Sequence, residues 1–107
     1  MASENNEDQS GDLAVKEAPP KLKKPKMYRV IMLNDDYTPM EFVVHVLESF
    51  FSMDRQMATK VMLEVHTKGK GVCGIFPYDS AETKASQVIE YARQNELPLV
   101  CTVETEE

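Results

Sequence analysis

No aromatic residue precedes Tyr28. All eight (Tyr28, Tyr37, Phe42, Phe50, Phe51, Phe76, Tyr78 and Tyr91) lie beyond residue 27. Aromatic side chains bring the largest apolar areas to a core, so this chain must build its core from residues 27–107. Residues 1–26 hold no periodic apolar pattern, a Pro-Pro at 19–20 and a further proline at 25. Such a segment cannot bury enough surface to offset the entropy of ordering it, and it reads as a disordered N-terminal extension. What remains suits one small domain over 27–107, whose net stability is a few kcal/mol.

Within that domain the apolar pattern changes period repeatedly. Met27–Leu33 is short and rich in β-branched and long apolar residues, a strand. Asn34-Asp35-Asp36-Tyr37 favours a turn through side-chain bonds to the backbone. Thr38-Pro39-Met40-Glu41 carries a helix-start signature, with Thr38 as cap, Pro39 at the first helical position and Glu41 completing a capping box. Met40, Val43, Val44, Val46, Leu47, Phe50 and Phe51 then follow largely at helical spacing. A second helix is expected from Ser52 or Asp54 to His66, with Met57, Ala58, Val61, Met62 and Val65 inward. The glycines and lysines of 67–71 stop it. Val72–Phe76 is a second strand, and Asp79 or Ser80 can cap a third helix with Ala85, Val88, Ile89 and Ala92 inward. Leu99–Val103 is a third strand, apolar on both faces and therefore expected at the sheet centre. The order β-α-α-β-α-β predicts an α+β two-layer sandwich. Its three-stranded antiparallel sheet has the last strand central and the helices on one face.

Charge narrows the function classes. The net charge is −6, and residues 27–107 carry all of it, with 13 acids against 7 bases. An acidic domain is poorly suited to nucleic acid, whose binding draws on basic side chains releasing counterions. The cluster Lys21, Lys23, Lys24 and Lys26 belongs to the extension and reads as a solvated run. Met1–Asp12 is polar and acidic, unlike a signal peptide, and no apolar stretch approaches a membrane span. The expected location is cytoplasmic, with Cys73 and Cys101 as buried reduced thiols.

The chemistry-bearing residues do not form an enzyme's signature. Asp35 and Asp36 are adjacent, and successive turn residues point different ways, so they read first as turn formers. His45, His66, Cys73 and Cys101 lack zinc-ligand spacing, and no nucleophile elbow or phosphate loop is present. The expectation is no catalysis, no metal and no cofactor. One juxtaposition stands out. If the first two helices pack together, Met40, Val43, Met62 and Val65 could line an apolar hollow beside Asn34, Asp35 and His66. By composition alone those four apolar residues read more readily as ordinary core.

The run YRVIMLNDDYTPMEFVVHVL (28–47) resembles the ClpS family of N-degron adaptors. So do MLEVHTKGKGVCGIF (62–76), AETKASQVIEYAR (81–93) and ELPLVCTVE (96–104). The likeness implies the same β-α-α-β-α-β fold with its last strand in the middle. It also implies binding of proteins beginning with Leu, Phe, Tyr or Trp and their delivery to the ClpA unfoldase of the ClpAP protease. Position by position, Asn34, Asp35 and His66 would hold the α-amino group. Met40, Val43, Met62, Val65 and Leu99 would line the side-chain pocket, with Asp36 and Thr38 at its mouth and Met32 at its floor. Asp79, Glu82, Thr83 and Lys84, at the start of the third helix, would face the N-domain of ClpA. The family commonly carries Glu where this chain has Asp79. The extension over 1–26 would assist transfer. Nothing in the chain points beyond a monomer. Two other readings remain: a regulator that docks on ClpA without reading N-termini, and a small acid-base enzyme using Asp35 and His66.

Overall fold

A computed structural model of the protein describes residues 24–106. The expected extension, through residue 23, lies outside the described residues, and Lys24–Lys26 are exposed without regular structure. The elements are β1 (Met27–Leu33), α1 (Met40–Phe51), α2 (Arg55–Lys68), β2 (Lys70–Pro77), α3 (Tyr78–Gln94) and β3 (Cys101–Thr105). This is the α+β order read from the sequence, with all three strands antiparallel in one sheet.

The strand order corrects one expectation. It is β2-β1-β3, so the first strand is central, not the last. Three successive residues of β1, Val30, Ile31 and Met32, are closed off from solvent, as only a strand flanked on both edges and covered across its middle can be. The apolar run Leu99–Val103 misleads because two of its residues precede the strand. Leu99 is buried ahead of β3, Val100 is exposed, and β3 itself has one wet edge with residues Thr102, Glu104 and Thr105 outward.

The helices supply the other layer. α1 buries Val43, Val44, Val46 and Leu47; α2 buries Ala58, Val61 and Val65; α3 buries Ala81, Ala85, Val88 and Ala92. These pack with Val30 and Met32 into one core. Alanines and valines, not long side chains, face the sheet on α2 and α3, which lets the helices approach it closely. Met57 does not join the α2 stripe as expected; it is exposed in the first turn.

Helix ends also depart from expectation. Thr38 does not cap α1. Pro39 takes that position, its carbonyl accepting from the N–H groups of Phe42 (3.0 Å) and Val43 (3.2 Å). Glu41 completes no capping box, because its carboxylate accepts from Arg55 at 2.8 Å. Asp54 caps α2 as expected, Oδ1 accepting from Met57 N–H at 2.8 Å. That helix runs past His66 to Lys68 before Gly69 (φ 90°) turns the chain. Pro77 precedes α3, leaving Asp79 and Ser80 inside its first turn.

Cys73 and Cys101 are free and buried. A hydrogen bond to Cys101, then burial, push the Cys73 thiol far above its ordinary pKa, so it stays protonated and inert.

α3 closes in a Schellman turn: Leu97 N–H donates to Ala92 O (2.8 Å) and Glu96 N–H to Arg93 O (2.9 Å). Glu96 occupies the left-handed position that usually takes glycine, at φ 59°. Glu96→Gly should therefore stabilise the fold by about 1 kcal/mol, read as a higher Tm; a lower Tm would contradict this account.

A cavity at the end of the central strand

Two backbone hydrogen bonds gather three separate segments at the end of β1. Leu33 N–H donates to Val100 O (3.2 Å), and Asn34 N–H donates to Gly69 O (2.9 Å). The first holds the Leu99–Val100 segment beside the strand. The second holds the last turn of α2, and with it His66, beside Asn34.

The loop that follows is folded by its own acids. Asp35 Oδ2 accepts from Thr38 Oγ1 at 2.8 Å and from Tyr37 N–H at 3.1 Å. Thr38 N–H donates to Asp35 O at 3.2 Å. Thr38, 8% exposed, is the buried polar side chain among the described residues, and Asp35 satisfies it. Asn34 Nδ2 donates to Asp36 Oδ1 at 3.4 Å, which orients the Asn34 amide.

Between this loop, α1, α2 and Leu99 lies a cavity of about 260 Å³. It is lined by Asn34, Asp35, Asp36, Thr38, Pro39, Met40, Val43, Met62, Val65, His66 and Leu99. Val43, Val65 and Leu99 are buried and form fixed walls. Met62 is half-buried, and Met40, 44% exposed, stands at the rim. Unbranched thioether side chains at these two positions can shift to suit guests of different shape. The polar rim offers a carboxamide, two carboxylates and an imidazole. Its lining includes no lysine or arginine. Such a site suits a ligand that couples a cationic, donor-rich head to an apolar body.

The structure thus brings together Asn34, Asp35, Asp36, Thr38, Met40, Val43, Met62, Val65, His66 and Leu99. It does not bring Met32 with them. Met32 is fully buried in the core cluster that also holds Val43, Val65 and Leu99, and it is absent from the cavity lining. Pro39 joins the lining unforeseen; its place in the helix-start motif, between Thr38 and Met40, was the available signal. The His and Cys residues do not converge on one site: His45 Nε2 pairs with Tyr91 Oη at 2.9 Å, and the two thiols are buried in the core. Among the described residues no cluster of three or more His, Cys, Asp or Glu could hold a metal ion. Nor is any helix there long and apolar enough to cross a membrane.

The α3 residues lie elsewhere. Asp79, Glu82 and Thr83 are exposed, and the Glu82 carboxylate beside the Tyr78 hydroxyl pushes that phenol's pKa up. Lys84 is only half-exposed, and its Nζ donates to Phe50 O at 2.7 Å, at the C-terminal end of α1. There it satisfies a helix-end carbonyl and complements the helix dipole.

A family model described as ATP-dependent Clp protease adaptor protein ClpS matches residues 23–102. The chain belongs to the ClpS family. It is 63% identical over 90 residues to the ATP-dependent Clp protease adapter protein ClpS of Rhodospirillum centenum, covering 84% of this chain and 83% of that one. It is 59% identical over 104 residues to the ClpS of Methylococcus capsulatus, covering 97% and 98%. Among solved structures, Agrobacterium tumefaciens ClpS2 bound to L-phenylalaninamide superposes with a TM-score of 0.75 at 41% identity. That match covers 78% of this chain and all of the other. The Rhodospirillum and Methylococcus relatives are named as adapters of a protease.

Two outcomes follow from the bonding around the site. Thr38→Val, which removes a donor from a half-buried carboxylate, should cost about 1 kcal/mol in chemical denaturation. Lys84→Ala should also lose about 1 kcal/mol through the exposed carbonyl of Phe50, seen in the same measurement. An unchanged midpoint would mean that this lysine is no part of the fold.

Proposed function

We propose that this ClpS-family protein captures proteins through a free N-terminal Leu, Phe, Tyr or Trp and hands them to the ClpA unfoldase of ClpAP, in the cytoplasm. The observation that carries the reading is an apolar cavity whose polar rim offers acceptors and no lysine or arginine. The ligand of the Agrobacterium relative supports it, since L-phenylalaninamide joins a free α-amino group to a benzyl side chain.

A free α-amino group has a pKa of about 7.7–8.0, so near neutrality it is mostly an ammonium with three donors. Asn34 Oδ1, the imidazole of His66 in its unprotonated form and the Asp35 carboxylate are assigned those donors. Asp35 Oδ2 already serves Thr38 and Tyr37, which leaves Oδ1 for the ammonium. Asp36 holds the Asn34 amide in place, and Thr38 fixes Asp35, so both shape the mouth indirectly. Burying a large apolar side chain against Val43, Met62, Val65 and Leu99 contributes roughly 1.5–3 kcal/mol. Met40 at the rim is assigned the steric exclusion of β-branched residues. Asp79, Glu82, Thr83 and Lys84 are assigned to the unfoldase, with Lys84 also serving the fold. Residues 1–26 are assigned to the transfer step.

The competing role, a regulator that docks on ClpA without reading N-termini, gives no reason for an open cavity walled by Val43, Val65 and Leu99 and rimmed by acceptors. Fluorescence anisotropy with short peptides separates the two. Free Phe should bind, whereas free Ile and acetylated Phe should not, since acetylation removes the charge and leaves acceptors that the ligand covers unpaired. His66→Ala should weaken free Phe at least tenfold, the loss of one charge-assisted hydrogen bond. Equal binding of all three peptides would refute the reading. Deleting residues 1–26 should spare peptide binding and slow degradation of a Phe-initiated substrate by ClpAP.

A further inference from the structure

Gly71 lies in β2 against α2, at a position where the backbone does not call for glycine. Among the described glycines only Gly69 has a positive φ. What Gly71 supplies is space. A β-carbon there would lie 2.8 Å from Val65 Cγ2, and 3.5 Å from both Val61 Cγ1 and Val61 O. Carbon pairs settle at about 3.5–4.0 Å, so Val65 would have to withdraw by about 1 Å. Rotation offers little escape, because valine in a helix has one strongly preferred χ1 and Val65 is closed off from solvent, at 2% exposure. Gly71 lines no part of the cavity, whereas Val65 does. Val65 therefore touches both, and the cavity is the open space into which a methyl at position 71 can drive it.

From this geometry we infer that Gly71 is a positioning residue that sets ligand size. The missing side chain at 71 lets Val65 sit back, and the room so gained admits the largest N-terminal side chains. The inference rests on the proposed reading of the cavity as an N-terminal residue site. A wall displaced by about 1 Å penalises an indole or phenyl ring far more than an isobutyl group, which leaves slack in a hollow of this size.

The test uses the full chain and free peptides beginning with Trp, Phe or Leu, with thermal melts of every variant. Gly71→Ala should weaken Trp about tenfold and Leu less than threefold, in line with the discrimination one methylene confers in an apolar pocket. Val65→Ala in the same background should restore the Trp:Leu ratio. Val65→Ala alone, which opens the wall from the cavity side, should raise that ratio above wild type; this arm decides the matter even if Gly71→Ala fails to fold. An equal loss for all three peptides, an unchanged ratio, or no recovery on adding Val65→Ala overturns the inference while leaving the proposed function standing. A wild-type chain that binds none of the peptides overturns both.

Discussion

The end of β1 is held from two sides by backbone hydrogen bonds, and the cavity exists because of them. Leu33 N–H to Val100 O and Asn34 N–H to Gly69 O join the central strand to the start of β3 and to the end of α2. Without the second bond His66 has no fixed relation to Asn34. Without the first, Leu99 has no fixed relation to either. The central place of β1 makes this possible, since only a strand with a neighbour on each edge can be pinned to both at one end.

The acids of the following loop act on the fold before they act on a ligand. Asp35 turns the chain through Tyr37 and Thr38, and Asp36 orients Asn34. This bonding fixes the rim with little freedom left to lose on binding, so the ligand need not order the loop that receives it. It also explains how a buried hydroxyl is tolerated beside Met40 and Val43: Thr38 is satisfied internally by Asp35. Preorganised acceptors around a rigid hollow are what a reader of small differences needs, because discrimination then comes from groups left unpaired in the wrong complex.

The same economy appears on the far side of the helices, where Lys84 ties α3 to the C-terminal end of α1. A charge that looks from the sequence like a free docking group is partly engaged by the fold. Pro39 makes the converse case. It reads as a helix-start residue and also faces the cavity, because the chain enters α1 along the cavity's edge. The capping-box expectation failed for a related reason. Thr38 was drawn away by Asp35, and Glu41 by Arg55, contacts that no local pattern encodes.

The sequence by itself determined the order and type of the six elements, since each follows from a local period: seven residues of strand at Met27–Leu33, helical spacing from Met40, a glycine stop at 69. The family's motifs were also legible in it, as were the residues that converge on the cavity, through likeness to that family. Strand order was not legible. An apolar run such as Leu99–Val103 looks the same whether it is central or half outside an edge strand, and only long-range pairing decides. Nor could it be read that Met32 is closed into the core, or that Gly71 matters through Val65. Both depend on which side of a packed residue the cavity opens, and that is set by how α2 rests on the sheet, not by any spacing along the chain.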